Sequence, residues 1–70
     1  MATEAQINAV LDSAGYGTKA KIIKSIPGAS KTQYYCTGGV GYRGKARWVE
    51  CNTADSASTQ AAAIQAGLAA

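Results

Sequence analysis

The sequence predicts a small single α+β domain over residues 1–70, with a helix, three strands and a second helix in that order. Three observations predict this order. Apolar side chains recur at helical spacing near both ends, β-forming residues occupy the middle, and glycine and proline separate the middle segments. Short connections favour antiparallel neighbours. We therefore expect a three-stranded antiparallel meander with both helices packed on one face.

The first helix is predicted over residues 4–14. Thr3 and Gln6 have the spacing of a capping box, in which each side chain covers a free backbone N–H at the start of the helix. The apolar residues of this segment share one stripe: Ile7, Val10, Leu11 and Ala14. Gly15 then supplies the left-handed position at which helices commonly end.

Three strands are predicted over residues 18–26, 31–37 and 45–52. Alternation in the first strand places Ala20, Ile22 and Ile26 on one face. Lys24 interrupts that apolar face, which indicates a position near an edge of the sheet. Pro27 and the glycine after it predict the turn into the second strand.

The last helix is predicted to begin after Asp55, which is a good N-cap, and to fray or end near Gly67. Its apolar stripe consists of Ala57, Ala61, Ile64 and Leu68. Small residues in both helical stripes allow close approach, either to the sheet or to another subunit. We therefore treat six residues as candidate interaction faces: Ile7, Val10, Leu11, Ala61, Ile64 and Leu68.

The two cysteines form a candidate disulfide. A hairpin whose turn is centred on Arg43 and Gly44 places Cys36 directly opposite Cys51, where a disulfide can form. The glycine run at residues 38–41 also permits a longer loop, which would move the two cysteines out of register. Two buried free thiols are the alternative, and the sequence leaves both open.

Charge is distributed unevenly along the chain. The net charge is +3, and all seven Lys and Arg residues lie between Lys19 and Arg47, while the four acidic residues lie towards the two ends. Such asymmetry guides a domain towards an anionic partner, although lysines on a solvated sheet face serve solubility equally well.

The aromatic and basic residues of the predicted 34–48 hairpin suggest a surface for nucleic acid. Sheets that bind single strands combine aromatic side chains that stack on bases with cations that contact phosphates. The candidate anion-binding residues are Tyr42, Arg43, Lys45 and Arg47. Because Trp48 alternates with Lys45 and Arg47, we expect Trp48 and Ala46 to face the helices.

Catalysis has little support in this composition. The sequence contains no histidine, which excludes a His-based triad and most zinc and haem sites. The few carboxylates are scattered, and no C-x-x-C motif activates a thiol. We therefore expect no enzymatic activity, no cofactor, no metal and no small-molecule substrate.

A structural or interaction subunit of a larger assembly is the leading expectation, with a protein partner or self-association. Fifteen alanines and no phenylalanine make the core thin for an independent monomer. The composition, rich in Ala, Gly, Ser and Thr, resembles that of small accessory proteins of bacteriophage particles, which implies decoration of a head or a role in a fibre. The alternatives are a small basic nucleic-acid-binding module and an inhibitor of a larger enzyme.

Location is predicted from the absence of sorting signals. The acidic start of the chain lacks the apolar region of a signal peptide, and the alanine-rich end is too short and polar to cross a bilayer. We expect an intracellular protein or one that is incorporated into a virus particle, without a membrane partner.

Overall fold

The computed structural model describes residues 2–13, 20–38 and 46–69 and shows a small compact α+β domain. The three strands form an antiparallel sheet in the order β1-β2-β3, which confirms the predicted meander between two helices. The elements are α1 (Glu4–Ser13), β1 (Lys21–Ile26), β2 (Lys31–Thr37), β3 (Ala46–Asn52) and α2 (Ala57–Ala69).

The start of α1 has the predicted capping box. The Gln6 backbone N–H donates to Thr3 Oγ1 over 3.2 Å, and the Thr3 N–H donates to Gln6 Oε1 over 3.0 Å. Two backbone donors that no helical carbonyl can reach are thereby satisfied. The helix ends at Ser13, and the predicted stop at Gly15 lies outside the described residues.

Helix α2 differs from its prediction at both ends. Ser56, rather than Asp55, is the N-cap, because its Oγ accepts from the Thr59 N–H over 3.3 Å. The helix also continues through Gly67 to Ala69. A Cβ atom at Gly67 would lie 2.9 Å from Val49 Cγ2, so this glycine allows α2 to pack closely against β3 rather than ending the helix.

Strand β1 contains a bulge that the sequence pattern did not reveal. Ile22 pairs with Cys36 and Lys24 with Tyr35, which leaves Ile23 as an extra residue between them. After the bulge, each side chain of β1 lies on the face opposite to the one that simple alternation predicts. Ser25 therefore lies on the helix side, and the Ser25 hydroxyl donates to Glu4 Oε2. The predicted placement of Ile26 with Ile22 is therefore wrong, and Ile26 faces away from the helices opposite Gln33.

The β2–β3 register is also different from the predicted one. Cys36 pairs with Arg47 and Cys51 pairs with Thr32. Cys51 is thus four residues away from Arg47, the residue opposite Cys36. Four residues span about 13 Å along a strand, so the two cysteines are not directly opposed and the predicted cross-strand disulfide is not formed. The predicted turn at Arg43 and Gly44 lies outside the described residues.

The core fills the space between the two helices and one face of the sheet. Its largest fully buried apolar side chains come from the helices: Ile7, Leu11, Ile64 and Leu68. Burial of each such side chain contributes about 1.5–3 kcal/mol. The predicted interaction faces are therefore wrong for these four and for Ala61, which are buried in the chain's own core, while Val10 packs partly buried against it.

Polar contacts join the turns at one end of the sheet. Thr53 donates its backbone N–H to Ser30 O over 3.0 Å and its hydroxyl to Gly28 O over 2.8 Å. Gln60 donates its Nε2 to Asn52 O over 2.7 Å and accepts the Tyr34 hydroxyl over 3.2 Å. Across the described ranges, every buried side-chain nitrogen or oxygen has a partner, as a stable core requires.

Candidate binding surface on the open face of the sheet

The sheet has one face packed against the helices and one that the described parts of the chain leave uncovered. We call the second one the open face. Its side chains follow from the strand pairing and the exposure of alternate residues. They are Lys21, Lys24, Ile26, Lys31, Gln33, Tyr35, Thr37, Ala46, Trp48, Glu50 and Asn52.

Three of these side chains form a row across the middle of the open face. Lys24 on β1 pairs with Tyr35 on β2, and Tyr35 pairs with Trp48 on β3. The two rings contact each other with centroids 5.2 Å apart and planes tilted by 47°. We call these three residues the central row. It places a two-ring aromatic surface beside a cation.

Aliphatic side chains on β1 extend the apolar surface. Ile23, the extra residue of the bulge, is 58% exposed and Ile26 is 49% exposed, compared with 45% for Trp48. Exposed large apolar side chains that cluster on one surface are typical of an interaction site. Among the described residues, the exposed large apolar side chains lie on the sheet and not on the helices.

The charge of the open face is predominantly positive. Its described residues include three lysines, Lys21, Lys24 and Lys31, and one acid, Glu50. Lys31 Nζ donates to Asn52 Oδ1 over 2.6 Å and stays exposed. Glu4 lies instead on α1, where it accepts the Ser25 hydroxyl on the helix side of the sheet. The described residues of the open face therefore create a positive potential that favours anionic groups.

Of the predicted anion-binding residues, only Arg47 lies within the residues that the structure describes. Tyr42, Arg43 and Lys45 lie outside the described residues. Arg47 belongs to the helix side of β3, and its Nη1 donates to Gly67 O over 3.3 Å. Trp48, which was expected to face the helices with Ala46, lies on the open face, so that expectation is wrong.

A signal for the correct orientation of Trp48 was present in the sequence. Val49 and Cys51 alternate with Glu50 and Asn52, and strand alternation assigns the apolar pair to the core. Trp48 then shares the exposed face with Glu50. The prediction instead followed the alternation of Trp48 with Lys45 and Arg47, which were expected to be exposed.

The two cysteines lie on the helix side of the sheet, where both are free and buried. Cys36 Sγ donates weakly to Tyr34 O over 3.5 Å, and Cys51 Sγ to Gln60 O over 3.9 Å. Burial raises the pKa of the Cys36 thiol to about 12, and the nearby Cys51 adds to this effect. The pKa of Cys51 is raised by burial and by Asp55 and Glu50. Thiols with raised pKa values are poor nucleophiles at neutral pH.

A groove runs between the start of α1 and the nearby end of the sheet. It is lined by residues that include Thr3, Glu4, Ser25, Tyr34 and Thr53. Their polar groups bond to the chain itself: Glu4 accepts from Ser25, Tyr34 donates to Gln60 and Thr53 donates to a backbone carbonyl. Burial, with Cys51, Glu4 and Cys36 nearby, also raises the pKa of the Tyr34 phenol. The groove therefore offers few free groups to a ligand.

Metal ligands do not cluster in the parts of the chain that the structure describes, where no three Cys, Asp or Glu side chains come together. None of the helices within those parts is long and apolar enough to cross a membrane. Comparisons of the chain with protein-family models, curated proteins and solved structures find no match. The open face and its chemistry therefore carry the functional argument.

Proposed function

We propose that the chain is a non-enzymatic interaction subunit of a larger assembly and that it binds an anionic partner through the open face. The observation that carries this proposal is the exposure of Trp48 and Ile26 on a face with three lysines, together with exposed Ile23 at the bulge of β1. Sequences place polar residues on solvated sheet faces, so an apolar and cationic cluster there favours a partner that covers it.

Two features support an anionic partner rather than a second copy of the chain. Two copies that met through the open face would bring Lys21, Lys24 and Lys31 of each towards the same lysines of the other, and like charges oppose such contact. The apolar stripes of the helices, which could have joined copies, are buried in the core.

The non-enzymatic part of the proposal is supported by the chemistry of the nucleophiles. The chain contains no histidine, and the buried thiols have raised pKa values. Nucleophilic catalysis normally needs a base beside the nucleophile or a lowered pKa. The finer roles, accessory protein of a bacteriophage particle or inhibitor of a larger enzyme, stay predictions from composition.

Retention on immobilised heparin, with elution by increasing salt, tests the charge of the open face. Lys24→Gln removes one positive charge from the open face, and Arg47→Gln removes one from the helix side. We expect wild type to be retained at low salt and Lys24→Gln to elute at clearly lower salt, with Arg47→Gln eluting close to wild type. Equal shifts in both variants, or no retention of wild type, would contradict the proposal.

Light scattering after size-exclusion chromatography tests the second copy as the alternative occupant. We expect a monomer at both low and high salt, with Trp48→Ser unchanged in mass. A discrete oligomer that Trp48→Ser converts to monomer would assign the open face to self-association and overturn the anionic partner.

A further inference from the structure

The central row has the geometry of a stacking surface. Tyr35 and Trp48 lie on adjacent paired strands, with ring centroids 5.2 Å apart. Trp48 remains 45% exposed despite this contact. Aromatic rings exposed on a sheet surface stack on bases regardless of base identity, because every base has a π-face.

Lysines flank this aromatic surface in three directions. Lys24 continues the central row onto β1, while Lys21 lies beside Thr37, two residues further along β2. Lys31 lies four residues from Tyr35 in the other direction. At about 3.3 Å per residue, Lys21 is offset from Tyr35 by about 7 Å along the strand direction and Lys31 by about 13 Å in the opposite direction. A strand whose bases stack on the rings would therefore pass its phosphates close to several cations.

The same geometry favours single-stranded nucleic acid over a nucleic-acid duplex. The open face of a sheet is broad and presents ring faces, whereas a duplex hides the faces of its bases in the helical stack. An acidic protein would satisfy the lysines but would leave the paired rings of the central row unexplained. Gln33 and Asn52, which are exposed on the same face, add amide groups that can hydrogen-bond to bases.

We propose that the open face binds single-stranded nucleic acid, with Tyr35 and Trp48 stacking on bases and Lys21, Lys24 and Lys31 contacting phosphates. This inference rests on the proposed function, because it names the anionic partner. Of the four residues expected from the sequence, Arg47 lies on the opposite face of the sheet, and Tyr42, Arg43 and Lys45 lie outside the described residues.

Fluorescence anisotropy of a labelled single-stranded oligonucleotide, mixed with the full chain over a range of salt concentrations, tests the inference. An oligonucleotide of about 12 nucleotides matches the site sizes of sheet-based single-strand binders. DNA and RNA versions and the corresponding duplex are measured in parallel. We expect single-strand binding that weakens as salt increases, with a slope of log K against log salt of about −0.7 for each phosphate contacted.

Four variants separate the contributions of rings, cations and aliphatic side chains. Trp48→Leu keeps the site apolar but removes stacking, so affinity should fall about tenfold. Lys24→Gln should weaken binding and make the salt slope shallower by about 0.7. Arg47→Gln, with the same loss of charge on the helix side, should bind nearly as wild type. Ile26→Ser, which removes an apolar contact but no stacking ring from the open face, should weaken binding less than Trp48→Leu does.

Intrinsic fluorescence supplies an independent readout, because Trp48 is the single tryptophan of the chain. Stacking of a base on the indole should quench its emission as the oligonucleotide binds. Circular dichroism establishes that each variant keeps its secondary structure. Wild-type affinity in folded Trp48→Leu, or unchanged indole emission on binding, would overturn the inference.

Other outcomes distinguish this inference from the proposed function. Lys24-dependent binding to heparin without preference for the single strand over the duplex would overturn base stacking but keep the anionic partner. A loss in Ile26→Ser as large as that in Trp48→Leu would indicate an apolar protein partner instead. Failure to bind both heparin and the oligonucleotide would remove both proposals together.

Discussion

On the helix side of the sheet, Ile22, Tyr34, Cys36 and Cys51 are buried, whereas on the open face Trp48 of β3 and Ile26 of β1 are about half exposed. The difference is one of size as well as of exposure. The core is built from aliphatic, small and sulfur-containing side chains with one tyrosine, while the chain's only tryptophan lies outside it. A small domain gains stability from every large apolar side chain it buries. Placing the largest one on the surface forgoes that gain, which supports the binding role proposed for the open face.

The largest expected effect is on the reactivity of the two thiols, which are buried on the helix side and have no counterpart on the open face. At pH 8 a Cys36 pKa of about 12 leaves on the order of a thousandfold less thiolate than the usual pKa of about 8.5. We expect the native chain to react with a thiol-specific disulfide reagent at least that much more slowly than the chain in denaturant. Comparable rates in both states would show that the helix side is open to solvent.

Because the pKa of the Cys36 thiol is raised in the folded chain, we expect the free energy of unfolding to depend on pH in the alkaline range. The unfolded chain loses its thiol protons above about pH 8.5, while the folded chain keeps them, so the free energy of unfolding falls as pH rises. The slope is at most about 1.4 kcal/mol per pH unit for each thiol. Denaturant unfolding between pH 8 and 11 measures it, and Cys36→Ala should make the decline shallower.

Truncation of apolar side chains should affect the two faces very differently. Ile64→Ala removes a fully buried side chain and should cost about 2–5 kcal/mol, much of the stability of a domain of this size. Trp48→Ala should cost about 1 kcal/mol or less, since it loses little beyond the contact with Tyr35. Urea unfolding followed by circular dichroism compares them. Similar losses would mean that the open face is covered in the folded chain.

Gly67→Ala tests how closely α2 packs against the sheet. The added methyl would lie 2.9 Å from Val49 Cγ2, and the stiff Val side chain has little freedom to move away. Overpacking of about 1–3 kcal/mol should exceed the gain of about 1 kcal/mol in helix propensity. In a Val49→Ala background the same change should stabilise the protein. Stabilisation in both backgrounds would contradict the close approach.

Two adjacent tyrosines give the smallest and most closely matched comparison. Tyr34 lies on the helix side and donates its hydroxyl to buried Gln60, while Tyr35 lies on the open face. Tyr34→Phe leaves the Gln60 oxygen without this donor and should cost about 1–3 kcal/mol. Tyr35→Phe should change the free energy of unfolding by about 0.5 kcal/mol or less. Equal effects would remove the distinction between the faces.

Local signals predicted the elements well, because caps and alternation act over a few neighbouring residues. The capping box at Thr3 and the strand over residues 31–37 are examples. The bulge at Ile23 and the pairing of Cys36 with Arg47 were not predictable in the same way. They depend on how separate segments fit together, and a glycine-containing connection allows several registers.

The surface proposed here shares its residue types, but not its residues, with the surface expected from the sequence. Aromatic residues beside cations indicated a surface for nucleic acid, yet Arg47 lies on the helix side and Trp48 on the open face. The central row also depends on Lys24, which joins Tyr35 only because the bulge shifts β1 by one residue. A contact that follows from a shift in register leaves no periodic signal in either strand.

The bulge at Ile23 also limits how copies of the chain can join. A fibre of stacked sheets grows only when both outer strands of each copy can accept a neighbour. Strand β1 is one outer strand of this sheet, and its extra residue interrupts the regular spacing of its backbone hydrogen-bonding groups. Strand addition is then less favourable at β1 than at β3, and pairing of two β3 strands would close a dimer with no favourable site for further growth. An irregularity of one residue thus protects a subunit with an exposed apolar surface from open-ended polymerisation.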